Sequence, residues 1–202
     1  MPKFAVRRRT DEPEPPTPGS VIGVSGPAGP ASTAERPAEP LRILLIGRVS
    51  PRKVTDVAVD AMALLRRGGS KAVLDVVRSV FGGYEWFEER VRALIRTEGL
   101  EDSVRLTSFH RIVWNAHRQA DIAVVPSLVE PFGNSSVEAG VPVIVTDAQG
   151  LPETVDAGRC GTIVPAGDPA AVADTITAVA EDWSATREVR TSHGGTRVFG
   201  SP

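Results

Sequence analysis

The chain has 202 residues, room for one ordinary domain with tails, and its 41% apolar and 24% charged residues are in the globular range. A formal net charge of -2 with both signs interspersed excludes a global basic field of the kind that gathers nucleic acid, and no uninterrupted apolar stretch is long enough to cross a bilayer. Cys160 is the only cysteine, which excludes an intrachain disulfide, and the N-terminus MPKFAVRRRT lacks the apolar core of a signal peptide, so a cytoplasmic protein is expected.

Residues 1–40 are crowded with Pro, Gly, Ala, Ser and Glu and read as a disordered tail, with Arg7, Arg8 and Arg9 as a solvated part of it. At Leu41 the texture changes. RILLI, residues 42–46, predicts a fully buried strand; Val57, Ala58, Ala61, Leu64 and Leu65 predict the inner face of a helix that starts at Thr55 and is stopped by Gly68 and Gly69. The unit repeats with a strand AVLDVV at 72–77 and a helix whose inner face is Phe87, Val91, Leu94 and Ile95, ending at Gly99. Further β-branched runs follow, VRLT at 104–107, IAVVP at 122–126 and PVIVT at 142–146, with helices expected near 113–119 and 135–139. TIVP at 162–165 and a helix over 169–181, with Ala171, Val172, Ile176, Ala178 and Val179 turned inward, complete the pattern; residues 183–202 have no sustained period and are expected to fray. Such alternation predicts an α/β domain over 41–182, a Rossmann-like parallel sheet with helices on both faces. Ligands of such sheets bind beyond the carboxyl ends of the strands, which points to the loops after residues 46, 77, 107 and 126.

Two of those loops carry unusual residues. GRVSPRK, residues 47–53, gathers Arg48, Arg52 and Lys53 just before a helix start that is already partially positive, an arrangement that favours an anion between them. Arg forks onto phosphate oxygens and Lys supplies a point charge, which suits a diphosphate; three solvated loop cations are the alternative on spacing alone. Neither a P-loop nor a Gly-x-Gly-x-x-Gly turn is present. EPFGNSSVE, residues 130–138, holds Glu130 extended before Pro131, allows a sharp turn at Gly133, and offers Asn134 or Ser135 as a helix cap. Its two carboxylates can accept hydrogen bonds from sugar hydroxyls. Ser135-x-x-Glu138 is also a capping box, which by itself accounts for Glu138 but not for Glu130.

Taken in order, GRVSPRK, ADIAVVPSLVEPFG, the Glu130-x7-Glu138 pair, PVIVTDAQGLPETV and GTIVPAGDP resemble the C-terminal domain of retaining glycosyltransferases of the GT-B type, the large family numbered four, also called glycosyl transferases group 1. The resemblance implies a single GT-B lobe that binds a nucleotide-diphosphate sugar. Arg48 and Lys53 would contact the donor diphosphate. Glu130 and the backbone of Pro131, Phe132, Gly133 and Asn134 would meet the donor sugar, Glu138 the ribose hydroxyls, and Gly47 would belong to the same donor site. The base would lie near residues 107–109. Phe81, Tyr84 and Trp86 replace the usual Gly-rich turn and are read as packing residues. No Asp-x-Asp pair occurs and His110, His117 and His193 have no metal-ligand spacing, so neither a metal nor another cofactor is expected. The family's acceptor-binding lobe and C-terminal crossing helix have no counterpart here, and the helix after Glu138 is about three residues short. The expectation is therefore a truncated enzyme that needs a separate acceptor-binding lobe or chain. A noncatalytic sugar-nucleotide-binding module or an inactive gene fragment is the alternative.

Overall fold

The computed structural model describes residues 39–79, 82–108, 116–117, 119–130, 141–158 and 161–183. Within them the chain runs β1 (Leu41–Arg48), α1 (Thr55–Arg67), β2 (Ala72–Ser79), α2 (Glu85–Thr97), β3 (Val104–Ser108), β4 (Ile122–Val125) and β5 (Val143–Thr146). There follow a one-turn helix α3 (Leu151–Thr154), a 3-10 turn (Asp156–Gly158), β6 (Thr162–Val164) and α4 (Pro169–Glu181). The six strands form one sheet in the order β3-β2-β1-β4-β5-β6, every neighbouring pair parallel. This is the expected Rossmann-like α/β fold.

A parallel sheet covered on both faces requires strands that are apolar on both sides. All four residues of β4 and of β5 are buried. Side-chain alternation sends Ile43, Leu45, Leu74, Val76, Ile122, Val124 and Ile144 into one core with α1, α2 and α4, and Ala123, Val125, Val143 and Val145 into a second core with Leu151 and Val155. The helices end where local chemistry stops them. At the end of α1, Ser70 N donates to Leu65 O at 3.0 Å and Gly69 N to Arg66 O at 3.0 Å, a Schellman pair that needs the left-handed backbone Gly69 provides at φ 80°. At the start of α4, the Asp168 side chain accepts from Ala170 N and Ala171 N, with Pro169 opening the helix.

The structure corrects several inner-face assignments. Val57 is only half-buried and is not part of the core, Leu64 packs against the core while half-buried, and Val59, Met62 and Ala63 take the deeper positions on α1. On α4 Ala178 is exposed and Ala173 is buried in its place. Both shifts follow from the width of the stripe a helix buries against a sheet and a neighbouring helix, which a short periodic template underestimates. Of the helix expected near 113–119, residues 116, 117 and 119 are helical and the others lie outside the described residues, as do the helix expected near 135–139 and nearly all of both tails.

Among the described residues, Arg78 is the most buried member of an ion pair. The Arg78 side chain, at the end of β2, is 9% exposed and meets Glu88 of α2 at 3.0 Å; Glu88 also accepts from Arg92 Nη2 at 2.8 Å. Arg78 Nε is buried with no partner, so Glu88 is the carboxylate that compensates this guanidinium. Glu88→Ala is expected to lower stability by about 2 kcal/mol in urea unfolding, and Glu88→Gln, which keeps an acceptor, by about half of that. The exposed pair Arg67 with Glu98 provides the contrast: Glu98→Ala is expected to cost under about 0.5 kcal/mol.

Candidate functional site

The sheet changes direction of winding between β1 and β4: β1 is followed by β2 on one side, and β4 leads to β5 and β6 on the other. At such a switch point the loops leaving the two strands part and open a crevice at their carboxyl ends. Arg48 ends β1, and the loop after it carries Arg52 and Lys53. The loop after β4 carries Ser127 and Glu130. The two loops are stitched together: Leu128 N donates to Arg52 O at 2.9 Å, and Lys53 N donates to Ser50 O at 3.0 Å, which closes a tight turn under the lysine. From the β5 side, the fully buried Thr146 hydroxyl donates to Ser127 O at 2.5 Å and Gly150 N donates to Glu130 O at 3.3 Å. Both functional side chains thus stand on backbone that is held from several directions.

Lys53 and Glu130, 77 positions apart in sequence, form a direct ion pair, with side chains 28% and 14% exposed. Ser127 Oγ also donates to Glu130 Oε2, at 3.4 Å. Burial, then the nearby positive charge of Arg48, pushes the Lys53 ammonium below the usual lysine range. Partial desolvation and a second cation disfavour the protonated form, against the favourable contact with Glu130. Backbone strain gathers here as well. Val54, the residue before α1, is left-handed at φ 40°, and Gln149, next to Gly150, is left-handed at φ 45°. A β-branched residue in that region costs on the order of 1–3 kcal/mol, and such strain concentrates at functional sites. The Val54 side chain makes no cap bond to α1.

Of the residues expected from the sequence, Lys53 and Glu130 are in contact and Arg48 lies near Lys53. Arg48 ends β1 with an exposed side chain, and its charge reaches Lys53. Gly47 lies beside it in β1, in register with Arg78, and a Cβ there would meet nothing within 4 Å, so a ligand has room at this edge. Pro131, Phe132, Gly133, Asn134 and Glu138, with the shortened helix, lie outside the described residues. Thr107, in the segment assigned to the base, ends near the carboxyl edge of β3, its hydroxyl donating to Val76 O at 3.3 Å. Tyr84 is half-buried, whereas Trp86 is 58% exposed and touches Phe87 edge-on at 5.6 Å, so the packing role expected of Trp86 is confined to that contact and its own helix. Sequence reasoning passed over Ser127, Thr146 and Gly150. Thr146 reads only as a β-branched strand residue, and nothing in a linear pattern announces a cross-strand hydroxyl bond.

A cavity of about 340 Å³ lies at the opposite edge of the sheet, lined by Pro40, Leu65, Lys71, Ala72 and Ser103 among others. It is an open groove at the amino end of β2, whereas Lys53 and Glu130 meet at the carboxyl edge.

Comparison with known proteins gives the family and the fold. The family described as Glycosyl transferases group 1 matches residues 32–194. The chain is 36% identical over 155 residues to D-inositol 3-phosphate glycosyltransferase 2 of Catenulispora acidiphila, covering 71% of this chain and 35% of that protein. It is 28% identical over 146 residues to the amylovoran biosynthesis glycosyltransferase AmsK of Erwinia amylovora, covering 67% of this chain and 35% of that protein. The chain therefore spans about a third of the length of these curated relatives. Among solved structures, Anabaena HepE in complex with UDP and glucose superposes with a TM-score of 0.71 at 25% identity, over 75% of this chain and 41% of that one. The C-terminal domain of the group 1 protein LpcC from Francisella tularensis shares the fold at a TM-score of 0.64 and 20% identity, over 74% of this chain and 80% of that one.

Proposed function

Because the chain belongs to the glycosyl transferases group 1 family, we propose that residues 41–182 form a donor-binding lobe that holds a nucleotide-diphosphate sugar at the carboxyl ends of β1 and β4. The glycosyl group is then passed, with retained configuration, to an acceptor presented by a separate lobe or chain. The observation that carries this reading is the meeting of Lys53 and Glu130 at the switch point of the sheet. One is a cation fit for a diphosphate and the other a carboxylate fit for sugar hydroxyls. The relatives named above are glycosyltransferases, and the structure of HepE, part of which shares this fold, is of a complex with UDP and glucose.

The proposed chemistry asks two things of the protein. As the glycosyl bond to the donor diphosphate breaks, negative charge grows on the leaving oxygen; Lys53, supported by Arg48, neutralises it from a partly dehydrated position where the interaction is strong. Glu130 accepts hydrogen bonds from the sugar and fixes its orientation. Pro131, Phe132, Gly133 and Asn134 line the sugar from their backbone in this reading, and Glu138 holds the ribose.

Titrating the purified chain with UDP-, GDP- and TDP-sugars in a calorimeter tests the proposal. Saturable binding that weakens in Lys53→Ala and in Glu130→Ala supports it, and no binding of any of them at millimolar concentration refutes it. Binding without hydrolysis or transfer to simple acceptors would instead favour a noncatalytic sugar-nucleotide module. The lowered Lys53 adds a pH signature. In the free protein the ammonium loses its proton below the ordinary lysine range. Affinity for a diphosphate is expected to fall as pH rises through that lowered value. Calorimetric affinities measured at rising pH read that fall directly, and it should be absent in Lys53→Ala.

A further inference from the structure

We infer that the Lys53–Glu130 ion pair makes this site prefer an intact nucleotide sugar to the free nucleotide diphosphate left after transfer. This rests on the donor-site reading above and extends it to release of the product. The two side chains are in direct contact, and both stand on restrained backbone: Lys53 on the turn closed by Ser50 O, Glu130 on the bond from Gly150 N, and the two loops joined through Leu128 N and Arg52 O. Ligands therefore part the pair by moving side chains, not loops. A diphosphate oxygen that takes the Lys53 ammonium replaces one anion with another and leaves the carboxylate close to new negative charge. That exchange gains little. An intact nucleotide sugar brings the same diphosphate together with hydroxyl donors, and Glu130, already accepting from Ser127 Oγ at 3.4 Å, takes such a donor in place of the ammonium. The sugar thus supplies what the diphosphate removes, and once the sugar has been transferred that compensation is gone.

Glu130→Gln keeps the size of the side chain and removes the ion pair. The probe is inorganic pyrophosphate, which carries neither base nor sugar and so does not depend on which donor the protein uses. Glu130→Gln is expected to bind pyrophosphate about tenfold more tightly than the wild type. The gain should be absent when Lys53→Ala and Lys53→Ala/Glu130→Gln are compared, and Glu130→Asp, which keeps the charge, should bind as the wild type does. For any nucleotide sugar that binds, its affinity relative to the matching nucleotide diphosphate should fall in Glu130→Gln. Thermal midpoints of all four variants establish that each is folded. Equal binding by wild type and Glu130→Gln, with both weakened by Lys53→Ala, overturns the inference and leaves the donor-site reading standing. A gain that persists without Lys53 also overturns it, since that is the effect of removing any negative charge. If neither pyrophosphate nor any nucleotide sugar binds, the donor-site reading fails and takes the inference with it.

Discussion

Replacing Lys53 with alanine is expected to weaken binding of a nucleotide-diphosphate sugar by about 100-fold or more, roughly 3 kcal/mol. Three features set the size. The ammonium is only 28% exposed, so water screens its attraction to phosphate less than at a free surface. It sits at the entry to α1, where the aligned backbone dipoles add to its field. The turn closed by Lys53 N on Ser50 O also holds the lysine in place, so little binding energy is spent on ordering it. Arg48 shares the charge but not the burial, and Arg48→Ala is expected to cost less than about tenfold. Lys53→Arg restores charge with a planar fork in place of a compact point and should recover only part of the loss. Calorimetric affinities for the four proteins, taken at one ionic strength, decide the order. Arg48→Ala as damaging as Lys53→Ala would mean that the diphosphate lies on the outer side of the loop.

Gly161→Ala carries the largest expected effect on stability, a loss of about 3 kcal/mol with little direct effect on the site. A Cβ at Gly161 would stand 2.7 Å from the carbonyl oxygen of Val143 and 2.8 Å from the Cγ1 atoms of both Val143 and Val155. The oxygen belongs to the backbone at the start of β5, and the two valines are 5% and 1% exposed within the second core. None of the three can yield by swinging into solvent, so the strain must spread into β5 and the β6 end of the sheet. Gly69→Ala is a useful comparison. A Cβ there meets nothing within 4 Å, and the cost is confined to the left-handed backbone, on the order of 1 kcal/mol. Urea midpoints that rank the two substitutions the other way round would contradict the packing described for β5 and β6.

The six strands and three long helices of the described residues were legible in the sequence because each is a strong local pattern. RILLI and PVIVT are dense β-branched or aliphatic runs, and Gly68, Gly69 and Gly99 mark helix ends that the backbone uses as such. The short α3 was not legible: four residues with Pro152 among them carry no period. Strand order was not legible either. Nothing in the runs themselves says that β4 pairs with β1, and that pairing creates the crevice. The same division holds in the site. Arg48, Lys53 and Glu130 were identifiable as charged residues in loops at strand ends, but the contact between Lys53 and Glu130 spans 77 positions and exists only because β1 and β4 are neighbours. The supporting bonds from Thr146 and Gly150 depend on β5 lying next in the sheet.

A crystal structure of the chain soaked with whichever nucleotide sugar binds in the calorimetric panel tests the central claim most directly. The expected result is a diphosphate oxygen at about 3 Å from Lys53 Nζ, beyond the carboxyl ends of β1 and β4, with Glu130 parted from the lysine and accepting from the sugar. A diphosphate seated instead at the amino edge of the sheet, in the groove beside Lys71 and Ser103, with Lys53 still on Glu130, would contradict it.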